Sequence, residues 1–246
     1  MNRFEGKRIL ITGATRGVGR AGALRMAAEG GEIIATGRDA AELDRLRQSL
    51  PSHATVLHND AADPAAAEAL AMQVAQIGPL DGLWLNAGFA CVGEIDAVTS
   101  ESFDHLMNAN LKGPVLQMAA LKQHLKSGAS VVLTSSTSTY EGAAAASLYT
   151  AAKGALVAVA RCWASALGPE QIRVNTLVPG PIDTGFRDFM PADFRADFET
   201  GVLSRLALPR IGTAEEAAAV AAFLLSDDAA FVTGSQYAVD GGLTMI

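Results

Sequence analysis

The chain has 246 residues, of which half are hydrophobic and 18% charged, with a formal net charge of −7. That composition excludes a disordered chain and allows a single α/β domain with a substantial core. The acidic balance argues against a nucleic-acid partner, and no apolar run approaches the roughly 20 residues of a membrane-spanning helix.

Strand-like apolar runs alternate with helical patterns from end to end. Strands are expected near Arg8–Thr12, Ile33–Thr36, Thr55–His58, Gly82–Leu85, Val131–Ser135, Arg173–Val178 and Tyr237–Val239. Between them the pattern predicts helices that include Pro64–Gln76, Ser100–Lys126, Leu148–Leu167 and Ala214–Ser226. Thr213 and Glu216 read as a capping box for the last of these. Such alternation predicts βαβ units in one doubly wound α/β domain over 1–246, with about seven parallel strands and helices on both faces. Ligands of such sheets bind at the carboxyl ends of the strands.

The first strand enters at once after MNRFEGK, so no signal peptide is expected. It runs directly into Thr12–Gly19, TGATRGVG, and then into an amphipathic helix through Ala28. A strand, a glycine turn and a helix N-terminus make a pyrophosphate site, because backbone N–H groups can approach the ligand and the helix dipole favours negative charge. The second strand ends IIATGRD. Gly37 stands where an NAD site carries its ribose-binding acid, Arg38 follows it, and Arg16 adds a second cation. Two arginines suit a 2′-phosphate, so NADP(H) is favoured. NAD(H) remains the alternative if Asp39 takes the ribose.

Further along, Ser136 closes the run VVLTSS, and Tyr149 and Lys153 lie one helical turn apart in SLYTAAKGAL. A lysine charge at i+4 is expected to stabilise phenolate and lower the tyrosine pKa toward the working range, while a serine hydroxyl donates to a carbonyl oxygen. Ser135 competes with Ser136, and alternation along a strand lets only one of them face the site.

With these residues in place the chain resembles the short-chain dehydrogenase/reductase family over essentially its whole length. The resemblance rests on TGATRGVG (Gly13, Thr15, Arg16, Gly17, Val18 and Gly19), on Asn86-Ala87-Gly88, on Asn110 in NANLKG, on Ser136, Tyr149 and Lys153, and on Pro179-Gly180 with Thr184 four residues on. It implies a Rossmann-type fold and a catalytic set of Ser136, Tyr149, Lys153 and Asn110, the last holding a proton-relay water. It also implies that Asp60 and Ala61 lie near the adenine ring, and that Pro179, Gly180, Ile182 and Thr184 close over the nicotinamide. The family's spacing to Tyr149 selects Ser136 over Ser135. Leu85 departs from the pattern, which there has an asparagine, and one structural hydrogen bond is in question.

The activity so implied is hydride transfer between NADP(H) and a carbonyl or secondary alcohol. Residues 184–204 form the expected substrate lid. Phe186, Phe189, Met190, Phe194 and Phe198 suit an apolar ketone or alcohol, unless those rings pack down on the core. A 3-oxoacyl group on an acyl-carrier protein is the rival substrate. Against it, Arg187 and Arg195 face Asp188, Asp193, Asp197 and Glu199 in the lid, a net of 2 − 4 = −2. A nucleotide-sensing protein without catalysis is the third reading, disfavoured because the catalytic positions are intact.

Cys91 and Cys162 make no disulfide framework, and four scattered histidines offer no metal-ligand spacing. A reducing cytoplasm and no metal are expected. The helix Leu148–Leu167 is apolar around most of its circumference, more than a sheet-covering helix needs. The surplus points to the same helix of a neighbouring subunit, or else to deeper burial. The resemblance likewise implies a homo-oligomer, a dimer or tetramer, and the C-terminal DGGLTMI is a second candidate for that interface.

Overall fold

Alternate residues of the first strand, β1 (Arg8–Ile11), serve opposite faces of one sheet. Leu10 joins the core on one side, while Ile9 and Ile11 join the core on the other. A computed structural model describes residues 2–186, 188, 190 and 192–245, the side chains of 192, 194, 197 and 198 excepted. In chain order β1 is followed by α1 (Gly17–Ala28), β2 (Glu32–Gly37), α2 (Ala40–Ser49), β3 (Thr55–His58), α3 (Ala66–Ile77) and β4 (Leu80–Leu85). Next come α4 (Ser100–Met107), α5 (Gly113–Leu121), β5 (Leu125–Thr134), α6 (Ser138–Glu141), α7 (Ser147–Leu167) and β6 (Arg173–Pro179). The chain finishes with β7 (Ile182–Asp183), α8 (Ala192–Leu203), β8 (Gly212–Thr213), α9 (Ala214–Leu225) and β9 (Gln236–Val239).

The seven-stranded sheet has the order β3-β2-β1-β4-β5-β6-β9, and each pairing is parallel. Strands buried on both faces explain the near-continuous apolar runs of the sequence. One face carries α3, α5 and α7 through Leu70, Val74, Met118, Leu121, Leu156 and Ala160. The other carries α1, α2 and α9 through Ala23, Met26, Leu46, Ala221, Ala222 and Leu225. This is the doubly wound Rossmann-type arrangement. After β1 the chain winds outward to β3 and returns at β4, so the crevice between β1 and β4 is the switch point where such sheets bind ligands.

The expected helix Ser100–Lys126 is interrupted. α4 stops at Met107, a π-helical turn spans Asn108–Lys112, and α5 resumes at Gly113. Pro114, in the first turn of α5, has no N–H to offer the carbonyl of Asn110 four residues earlier. After α5 and a 3₁₀ turn at Lys122–His124, β5 begins already at Leu125. Its start is masked in the sequence by the polar stretch Lys126-Ser127-Gly128. The capping box is present, with Thr213 Oγ1 accepting from the Glu216 N–H at 3.2 Å and Glu216 accepting from the Thr213 N–H at 2.8 Å.

Along α7, Ala152, Leu156, Val157, Ala160, Ala164 and Leu167 are buried, while Ala151, Ala158, Cys162 and Ala166 are exposed. The apolar surplus therefore lies on the outer face of the single chain. Among the described residues, no helix is long and apolar enough to cross a membrane.

Candidate active site

A cleft of about 530 Å³ opens at the carboxyl ends of the central strands. Its nucleotide-facing floor is the turn after β1. Gly13 has φ +63°, and a Cβ there would lie 2.7 Å from the Ala87 Cα. At Gly19 a Cβ would run into the Gly13 carbonyl oxygen and come 2.5 Å from Asn86 Nδ2. Only glycines let the two segments meet. α1 starts at Gly17 with neither a side-chain cap from Arg16 nor an acidic residue in its first turn. Its N–H groups are thus left for an anion. Thr15, Arg16, Gly17 and Val18 line the cleft, and Gly19 packs behind them.

The end of β2 explains the missing acid. A side chain at Gly37 would collide with the Thr15 methyl. Arg38 is exposed and lines the cleft beside Asp39. Asp39 is occupied as the N-cap of α2, accepting from the Glu42 N–H at 2.8 Å. Asp60 and Ala61 also line the cleft, and Asp60 turns its own loop by accepting from the Ala62 N–H at 3.0 Å.

Asn86 holds the glycine turn to the sheet. Its Nδ2 donates to the carbonyls of Thr12 (3.2 Å) and Gly13 (3.1 Å), while its Oδ1 accepts from Thr134 Oγ1 at 3.1 Å. Trp84 Nε1 in turn donates to Thr134 Oγ1 at 2.9 Å. Thr12 Oγ1 accepts from the N–H groups of Asn86 (3.0 Å) and Ala87 (3.1 Å). Leu85, the departure from the family pattern, is 1% exposed and belongs to the apolar core. The polar fastening here runs through Asn86, Thr12 and Thr134. Trp84 and Thr134 were not anticipated, because their partners lie about fifty residues apart.

Ser136, Tyr149 and Lys153 meet in the same cleft. Ser136 lies beside Tyr149, and its Oγ accepts from the Ser138 N–H at 3.2 Å. Ser135, one residue earlier, turns the other way and donates to the Lys153 carbonyl at 2.8 Å. Lys153 Nζ donates to the Thr134 carbonyl at 2.9 Å and lies 5.8 Å from the centre of the Tyr149 ring. The electrostatics correct the expectation of a lowered tyrosine pKa. Burial pushes Tyr149 up to about 12, against the opposing effect of the neighbouring Ser136 hydroxyl. Burial also pulls Lys153 down to about 8, since an ammonium is costly away from water. In the protein by itself, desolvation outweighs the proximity of the lysine charge.

Asn110 is fully buried behind the cleft. Its Oδ1 accepts from the Phe89 N–H at 3.2 Å, and its Nδ2 donates to the Leu106 carbonyl at 3.1 Å. Gly88 sits between Asn110 and Lys153: a Cβ there would be 2.5 Å from Asn110 Oδ1 and 3.1 Å from Lys153 Nζ. On the far side, Pro179, Gly180, Ile182 and Thr184 line the cleft. β7 pairs there with β8, which fastens this segment to the start of α9.

The other end of the cleft is mixed in character. Phe186 packs on Tyr149 with ring centres 6.2 Å apart, and Cys91, Met190, Val202 and Leu243 add apolar surface. Leu243 brings the C-terminal segment into the site, while Met245 stays exposed. Phe189 and the side chains of Phe194 and Phe198 lie outside the described residues. Two further polar residues, Ser138 and Glu141, line the cleft on α6. The polar run STSTYE was a visible signal for them.

A family model described as enoyl-(acyl carrier protein) reductase matches residues 13–244. The meso-2,3-butanediol dehydrogenase of Serratia marcescens is 35% identical over 245 residues, covering 98% of this chain and 96% of that protein. A 3-oxoacyl-[acyl-carrier-protein] reductase of Thermotoga maritima is 34% identical over 99% of this chain and 100% of its own length. Among solved structures, a blue fluorescent protein from a metagenomic library, in complex with NADPH, superposes with a TM-score of 0.90. It is 34% identical, with 97% of this chain and 98% of that chain covered. The chain belongs to the short-chain dehydrogenase/reductase family. It is an oxidoreductase of the NAD(P)-dependent class that acts on CH–OH and C=O groups.

Proposed function

We propose that this enzyme interconverts a ketone and a secondary alcohol with NADP(H), the substrate having a largely apolar body. The observation that carries the reading is the convergence of Ser136, Tyr149 and Lys153 at one end of the cleft whose other end is the glycine turn. The residues fit a dinucleotide. The turn is packed too tightly for any side chain at Gly13 or Gly19, and the α1 N-terminus has no cap of its own. Arg16 and Arg38 would hold a 2′-phosphate, Asp60 and Ala61 would border the adenine, and Pro179, Gly180, Ile182 and Thr184 would cover the nicotinamide. Asp39 spends one oxygen on capping α2, and the NADPH complex of the metagenomic protein supports NADP(H) over NAD(H).

Hydride transfer is the chemistry a bound nicotinamide contributes. Ser136 donates a hydrogen bond to the substrate carbonyl oxygen and Tyr149 delivers the proton to it in reduction. In oxidation Tyr149 takes the proton back. With its pKa at about 12, Tyr149 enters the reductive direction protonated at neutral pH. Lys153 supplies positive charge beside the phenol and would hydrogen-bond the ribose of a bound nucleotide. Asn110 borders Lys153 across Gly88 and holds a water for proton exchange with solvent. Its main-chain carbonyl, which Pro114 cannot serve, is the group suited to that task.

The Thermotoga relative favours a second reading, a 3-oxoacyl thioester substrate. The net −2 of the lid opposes docking of an acidic carrier. The exposed alanines of α7 favour a homo-oligomer through that face. Initial rates of NADPH and NADH oxidation against ketones, aldehydes and 3-oxoacyl thioesters test the proposal. Turnover of ketones with NADPH is expected. Turnover restricted to thioesters selects the second reading, and silence on every carbonyl rejects both.

A further inference from the structure

Glu141 is a carboxylate in the wall of the substrate end of the cleft, with a side chain only 15% exposed. Its Oε1 accepts from Thr137 Oγ1 at 2.7 Å, and its Oε2 accepts from Arg205 Nη2 at 3.0 Å. Arg205 follows α8, so this pair ties the lid segment to the loop that carries Ser136. A carboxylate offers about four acceptor positions, and these two bonds use two of them. Ser138 lies three residues earlier on the same turn of helix, hence on the same face. Its Oγ is enclosed and has no hydrogen-bond partner among the described residues, so no bond locks its rotor.

Resting on the ketone–alcohol reading above, we infer that Glu141, with Ser138 beside it, recognises a hydroxyl group on the substrate apart from the reacting oxygen. The substrate class is then a hydroxyketone in reduction and a diol in oxidation. The hydroxyl donates to the free acceptor positions of Glu141, and a turn of the Ser138 side chain lets that serine donate to its oxygen. A neutral hydroxyl fits better than an ammonium, because Arg205 already balances the carboxylate charge. The apolar surface around Phe186 and Met190 contacts the carbon skeleton. Glu141 is thus a specificity-determining residue, and Arg205 positions it.

The test compares 3-hydroxybutan-2-one, 4-hydroxybutan-2-one and 2-hydroxycyclohexanone, each against the ketone that lacks the hydroxyl. The wild type is expected to favour at least one hydroxyketone about tenfold or more in kcat/KM, since a site built to bond a hydroxyl rejects the analogue without it. In Glu141→Leu that ratio falls toward one, mainly through KM, whereas Glu141→Gln, which retains one acceptor, keeps part of it. Ser138→Ala lowers the ratio independently. Calorimetric titration of Tyr149→Phe loaded with NADP+ reads the same preference as binding of the matching diol over the mono-alcohol. A ratio near one in the wild type, or one unchanged in Glu141→Leu and Ser138→Ala, overturns the inference. So does an equal loss on both substrates, which is what a purely structural Glu141–Arg205 latch gives. Silence of the wild type on every ketone instead overturns the reading on which it rests.

Discussion

The Ser135 hydroxyl donates to the Lys153 main-chain carbonyl at 2.8 Å, joining the end of β5 to the helix that carries both Tyr149 and Lys153. Ser136 instead lines the cleft beside Tyr149. Neighbouring serines therefore do different work, and their alanine variants separate the two. Ser135→Ala is expected to cost about 1 kcal/mol of stability, more if the buried carbonyl finds no other donor. Ser136→Ala is expected to leave the melting temperature within a degree or two but to lower kcat roughly a hundredfold. Thermal melts and steady-state kinetics on both variants decide this, and equal effects on turnover would contradict the assignment.

Burial of Lys153 makes stability depend on pH in a definite direction. Its pKa falls from 10.5 to about 8 on folding, so between those values the unfolded chain holds more protons than the native one. Stability of the nucleotide-free protein therefore rises from pH 8 toward 10.5, by at most about 3 kcal/mol. Tyr149, raised from 10.0 to about 12, acts oppositely, its contribution being lost as pH climbs from 10 to 12. Cys91, whose thiol burial raises from 9.0, acts in the same sense as Tyr149 within the window from pH 8 to 10, so the lysine is isolated there by comparison with a variant that lacks it. Denaturant melts across that window are expected to show the rise in the wild type and a smaller one in Lys153→Met.

The same tyrosine makes the two directions of catalysis differ in pH dependence. Reduction uses protonated Tyr149 and is expected to stay nearly flat from pH 6 to 8. Oxidation uses the phenolate and is expected to quicken as pH rises through that range and beyond. Rates measured in both directions over pH 6 to 10 check this.

Cofactor choice is expected to rest on Arg38 and not on the position before it. Arg38→Gln raises KM for NADPH about tenfold or more and changes KM for NADH little. Gly37→Asp, the replacement an NAD site would suggest, brings a side chain against Thr15 and is expected to lower the melting temperature. A stable, NADH-preferring Gly37→Asp enzyme would contradict this account.

The elements whose logic is local were legible in the sequence. The glycine turn declares itself because Gly13 and Gly19 are demanded by backbone approach, and the strands because burial on both faces makes their apolar runs continuous. Alternation let only one of Ser135 and Ser136 face the cleft, and the choice of Ser136 came from the family resemblance. What was hidden depends on partners distant in the chain. The bond from Glu141 to Arg205 spans 64 residues, and Trp84 and Thr134, which brace Asn86, are 50 apart. The break at Asn108–Lys112 was signalled by Pro114, yet the apolar periodicity runs straight through it. The tyrosine pKa was misjudged because spacing reports the neighbouring charge and not the loss of water around both groups.

The central claim is that the Tyr149 hydroxyl moves the proton. Tyr149→Phe keeps the ring and its contact with Phe186 while removing only that oxygen. The measurement is its kcat on a ketone turned over by the wild type, together with NADPH affinity by fluorescence titration. A loss of about 10² to 10⁴ in kcat, with nucleotide affinity within a few-fold, is the predicted result. Turnover near the wild-type rate would contradict the account.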